Sequence, residues 1–167
     1  MSRVARYQAD RTNQKLYFAR LACQHSEAAE SVQQSQAGRE EAVFHLQGAV
    51  LAFFQELNRY YRADVTRPTL ESLKAALAQR SQVSPELMVM ERLQEAGFLK
   101  ELVQAFSACQ YAPKPAEPEP ESEASLSLIV RAEVSPVYWL PETSQLRVWH
   151  KSLQQLIEEF RESMVEF

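Results

Sequence analysis

Two long stretches of helical periodicity lie back to back at the start of this chain, and polar residues interrupt the apolar stripe of the first. Val4, Tyr7, Phe18, Leu21, Ala28 and Val32 recur at three- and four-residue steps, the spacing of one helix face. Arg11, Gln14 and His25 fall in the same register. A guanidinium, an amide and an imidazole on a buried-looking face need partners, because a polar group left unpaired in an apolar interior costs about 1–3 kcal/mol. The N-terminal half is therefore expected to hold a polar network inside an oily seam.

The second stretch, residues 39–62, carries Val43, Leu46, Val50, Phe53, Leu57 and Tyr60, widened by Phe44, Leu51, Phe54 and Tyr61. Much of its circumference is apolar, which marks it as the central helix of a bundle. Gly48, Ala49 and Ala52 offer a strip of small side chains where a neighbouring helix can come close. The polar tail SVQQSQAG, residues 31–38, ends in a glycine and reads as the turn after a first helix over residues 2–33. In an antiparallel hairpin closed near Ser35, positions whose numbers sum to about 70 stand level. His25 then meets His45, and Arg11 and Gln14 fall beside Glu56, Arg59 and Tyr60.

Downstream, Arg67-Pro68 breaks the helical pattern, and a helix with Leu70, Leu73, Ala76 and Leu77 follows. Ser84-Pro85 reads as an N-cap and a first-turn proline. The helix it opens carries Leu87, Met90, Leu93, Leu99, Leu102, Val103 and Phe106, divided by Gly97. Residues 112–125, APKPAEPEPESEAS, have nothing apolar to bury and read as an extended linker. The apolar segment 126–130 and a last helix from Thr143 or Ser144, with Leu146, Trp149, Leu153, Ile157 and Phe160, are expected to pack back onto the same core. With only 3 glycines and no alternating strands between tight turns, an all-β fold is excluded. The expectation is one all-α domain over residues 1–167: an up-and-down bundle of four long helices plus a shorter one, with a Pro/Glu-rich loop before the last helix.

The net charge of −4 argues against a broad nucleic-acid interface. The N-terminus has no apolar core of a secretory signal, and no apolar run approaches the ~20 residues of a membrane span. A cytoplasmic location without membrane contact is expected. Cys23 and Cys109 form no CxxC or zinc spacing and read as reduced, buried thiols. Glu-x-x-His and His-Glu-x-x-His metal motifs are absent, the nearest pattern being Glu41 and His45 at a four-residue step. No nucleophile elbow or phosphate-cradling loop occurs, and His150 beside Trp149 reads as an edge residue. No metal or cofactor is expected. The function expected first is non-enzymatic, binding of another protein or self-association through the last helix. The alternative is small-ligand binding or catalysis in a polar cleft between the first two helices, reaching Arg11, Gln14, His25, His45 or Glu56 and lined by Tyr17, Tyr60 and Tyr61.

Two resemblances add to this. Arg39 and His45 form an Arg-x5-His spacing that resembles the motif of HEPN domains, helical bundles whose nuclease members act on RNA, and this resemblance implies a further alternative, an HEPN-like ribonuclease or nucleotide-binding bundle. The chain departs from that motif with Glu40 after the arginine and with its position in the second helix. More extensively, Arg11-Thr-Asn-Gln-Lys-Leu-Tyr-Phe-Ala19 resembles the opening signature of a family of uncharacterised bacterial proteins. Glu41 to Ala49, Tyr60-Tyr61-Arg62, Ser125 to Val130 and Phe160-Arg-Glu-Ser-Met164 resemble later blocks of it. The resemblance implies a bacterial cytoplasmic helical protein and carries no activity. Its matching positions include Arg11, Asn13, Gln14 and His45.

Overall fold

The computed structural model describes residues 3–110 and 140–165, with side chains described within 10–110 and 140–164. Helix α1 spans Arg3–Glu27 and α2 Val32–Tyr60. The turn between them is shorter and earlier than the sequence suggests. Ser31 adopts an extended backbone and its side chain accepts the Gln34 N–H, so α2 starts there rather than at Arg39. The polar run after Ser31 is exposed helix, and its glycine is no turn. Gly38 is buried inside α2, where an added Cβ would stand 2.8 Å from the Ser26 nitrogen and 3.0 Å from the Ala22 carbonyl oxygen. Its missing side chain lets the two backbones touch near the hairpin end.

Moving the turn moves the register. His45 meets the edge of Phe18, with ring centroids 5.2 Å apart, instead of His25. The offset is seven residues along α1, about two helical turns. Gly48 faces the Lys15 side chain, and the Ser26 hydroxyl donates to the Ser35 carbonyl oxygen at 3.0 Å.

Thr69 and Ser72 form a reciprocal capping box that opens α3, Leu70–Gln79. Ser84 caps α4, Pro85–Ala96, with Pro85 in its first turn. Gly97 ends α4 in an extended conformation and α5 follows at once, Phe98–Gln110. The last helix, α6, spans Thr143–Val165. What reads in sequence as a fourth long helix is thus two short ones, and the described residues hold three long and three short helices, with no strand. Residues 112–125 and the segment 126–130 lie outside the described residues.

Contacts give the helix directions. Along α6, His150 bonds Leu16 and Arg161 bonds Asn13, so α6 runs antiparallel to α1. Arg39 pairs with Glu142, and Glu56 with Arg161, so α6 runs parallel to α2. Phe44 packs edge-on against Phe106, ring centroids 5.1 Å apart, and Cys109 feels the charge of Glu40, which sets α5 antiparallel to α2. α2 touches α1, α3, α5 and α6 and is the hub. Its Val43, Leu46, Ala49, Phe53 and Leu57 are fully buried, and Phe53 stacks on Phe160 of α6 at 5.9 Å.

Candidate functional site between the first and last helices

A polar cluster lies where α1, α2 and α6 meet, and its cation comes from α6. Arg161 donates from Nε to Glu56 Oε2 at 3.0 Å and from Nη2 to Glu56 Oε1 at 2.7 Å. Its Nη1 donates to Asn13 Oδ1 at 2.9 Å, and the Thr12 hydroxyl donates to Glu56 Oε1. Thr12 is fully buried and the Glu56 side chain only 9% exposed. Paired in two places, carboxylate and guanidinium satisfy each other in a setting where either alone would be costly. This clasp joins α1, α2 and α6 at one level of the bundle.

Above the clasp, α1 and α6 diverge into a cleft of about 390 Å3 lined by Asn13, Leu16, Tyr17, Arg20, His150, Gln154, Ile157, Glu158 and Arg161. Leu16 and Ile157 are buried and supply its apolar floor, while the other side chains are polar or aromatic. The Arg20 guanidinium lies over the exposed Tyr17 ring, 5.1 Å from its centroid, a cation–π contact that leaves the charge at the surface. His150 Nε2 lies 2.9 Å from the Leu16 carbonyl oxygen, which can only accept, so Nε2 carries the proton and Nδ1 is left as an acceptor. Burial, with the nearby Arg20 and Arg147 charges, pushes the imidazole below its ordinary pKa despite that hydrogen bond, so it is neutral at pH 7.

The structure scatters the residues anticipated from sequence. Arg11 is exposed and donates to Gln14 Oε1 on its own helix, so it does not pair with Glu56. Gln14 is likewise exposed. His25 has 66% of its side chain exposed and reaches Glu41 Oε2 at 3.7 Å, while His45 reaches Glu41 Oε1, also at 3.7 Å. The two imidazoles share one carboxylate rather than meeting. His45 is the more enclosed; burial and then the Lys15 charge lower its pKa, and its Nδ1 is buried without a hydrogen-bond partner among the described residues. Tyr60 is exposed and packs edge-on against Tyr61. Only Asn13 and Glu56 join the clasp through direct bonds, and the cleft above it opens between α1 and α6, while a second, more open hollow between the end of α1 and the start of α2 is lined by His25, Glu30, Gln34 and Glu41. Arg20, His150, Gln154 and Arg161 were missed. The last three lie on the polar side of α6, which cannot be assigned to a partner until the direction of α6 is known, and Arg20 lies on α1.

Other polar groups lie elsewhere. Arg39, of the Arg-x5-His pattern, is buried and donates to Glu142 at 3.2 Å, on a different flank of α2 from His45. At the far end of α2, the Tyr61 hydroxyl donates to the buried Glu86 carboxylate at 2.6 Å, and Ser84 donates to the same oxygen at 2.7 Å. Burial and this bond push the Tyr61 pKa up to about 12. Burial also raises both thiols, Cys109 to about 11, so neither is a thiolate at neutral pH. Among the described residues, no group of three or more His, Cys, Asp or Glu side chains is placed to hold a metal ion, and no helix is long and apolar enough to cross a membrane.

No characterised protein and no solved structure matches the chain. The model of one family does, over residues 7–167, from α1 through the clasp and cleft to the last residue. The chain belongs to this family of unknown function, DUF6586.

Proposed function

We propose that the protein is a non-enzymatic helical-bundle protein that acts by binding another protein, and that the partner seats on the face where α2 and α5 pack together. The observation that carries this reading is the apolar surface there. Phe44 is 43% exposed, Leu51 46% and Val103 37%. Phe44 and Leu51 lie seven residues apart, so they share one side of α2. Val103 stands one turn from Phe106, which packs against Phe44. Single exposed apolar side chains are ordinary, whereas three on adjacent helices form a patch of the kind that marks an interface.

The test is a purification of tagged full-length protein from its own cells, comparing wild type with a Phe44→Asp/Leu51→Asp variant and with Val148→Asp on the exposed side of α6. A stoichiometric companion (a second copy included) that is lost only in the α2 variant is expected. The same companion in all three, or none in any, removes the reading. A second reading, small-ligand binding, is favoured by one specific observation: the cleft beside α6 holds a surface arginine with no carboxylate partner among the described residues.

A further inference from the structure

We infer that the cleft between α1 and α6 is a binding site for a small organic anion with an apolar body, the anionic group being held by Arg20. The charges lining the cleft separate along its length. Arg161 is committed, with Nε and Nη2 on Glu56 and Nη1 on Asn13. Arg20 has no ion pair or hydrogen bond to any described residue, only the face of Tyr17 beneath it. Its planar fork of donors is free to take a carboxylate in two places. Among the described residues the one carboxylate on the rim is Glu158, which accepts the Gln154 amide at 2.9 Å. It stands eight residues beyond His150, about 12 Å along the helix axis, and so at the clasp end of the cleft. Arg20 lies at the other end, close enough to His150 to perturb it.

Between the two ends, the floor of Leu16 and Ile157 can bury only an apolar body. His150 Nδ1 and the Gln154 amide supply the polar contacts of the wall. The volume of about 390 Å3 falls in the range of small-molecule sites. An inorganic ion would reach Arg20 but leave the floor wet, and a neutral molecule would leave the guanidinium unanswered.

The probe is 3-phenylpropionate, titrated into the full-length protein while backbone amide resonances are followed by NMR, with 3-phenylpropanol and inorganic phosphate as the other arms. Saturable shifts are expected at Tyr17, Arg20, His150 and Gln154, with the alcohol and phosphate each binding at least ~10-fold more weakly. Arg20→Gln should weaken 3-phenylpropionate by ~10-fold or more, and Arg92→Gln, an exposed arginine on α4, should not. Arg20 is exposed, so its replacement leaves the core untouched, and an unchanged spectrum of the unliganded variant confirms that. Absence of saturable shifts at the cleft overturns the inference. So does equal binding of the alcohol or of phosphate, or undiminished binding by Arg20→Gln. None of these outcomes bears on the α2–α5 face, whose test is separate.

Discussion

Replacing Glu56 by glutamine tests the clasp without changing its shape. The side chain is 9% exposed and receives three donors, the Thr12 hydroxyl and two guanidinium nitrogens of Arg161. An amide keeps one acceptor but turns an N–H2 toward Arg161, so one charge-assisted bond is lost and two donors are set against each other. Removing one partner of a fully buried ion pair costs about 3–5 kcal/mol. Arg161 is 26% exposed, so water recovers part of its solvation. A loss of about 2–3 kcal/mol is expected. The assay is urea unfolding of the full chain followed by far-ultraviolet circular dichroism. Arg161→Met gives the second leg, and the double variant should be less destabilised than the sum by about 1–2 kcal/mol, because the pair shares one interaction. Additive losses, or a loss below about 1 kcal/mol for Glu56→Gln, would mean that the clasp does not bind α6 to the hairpin.

Three further outcomes are expected. Gly38→Ala should destabilise by about 1–3 kcal/mol despite alanine's better helix propensity, since its Cβ meets backbone atoms of Ser26 and Ala22 at 2.8–3.0 Å. Gly48→Ala, whose Cβ meets only the flexible Lys15 side chain at 3.1–3.2 Å, should be neutral or stabilising by up to ~1 kcal/mol; equal losses in both would refute the close approach at Gly38. Phe53→Ala should cost about 3–5 kcal/mol, because a fully buried ring stacked on Phe160 leaves a cavity at the hub; under ~1 kcal/mol would deny α2 that role. The native pKa values of His45 and His150 lie below the ordinary imidazole value of 6.5, so between the two values the unfolded chain binds more protons. Stability should therefore be full above pH 6.5, fall as the pH drops through it, and level off once the native imidazoles charge. His150→Gln, which keeps an N–H for the Leu16 carbonyl, should flatten the slope, and an unchanged slope would exclude His150 as its source.

The helices and their caps were legible because their signals are local. Ser84-Pro85, the break at Pro68, the division at Gly97 and the start at Thr143 all appear where the sequence puts them. The α1–α2 turn was not, because a glycine after a polar run has two meanings. Gly38 serves a helix crossing rather than a chain reversal, and only the position of Ser26 and Ala22 opposite it reveals which. From that single displacement follow the separation of His25 from His45 and the exposure of Arg11. A guanidinium beside Glu56 was expected, but as Arg11. Its true source was not legible, since Arg161 lies 105 residues away on a helix whose direction no local pattern encodes.

Binding at the α2–α5 face is tested most directly by a photo-crosslinking amino acid placed at position 51 of the full-length protein in its own cells. A single companion should be captured there and again from position 103. It should be absent when Phe44→Asp is added, and absent from position 88, an exposed methionine on α4. Capture of the same companion from position 88, or of none from 51 and 103, would contradict the account.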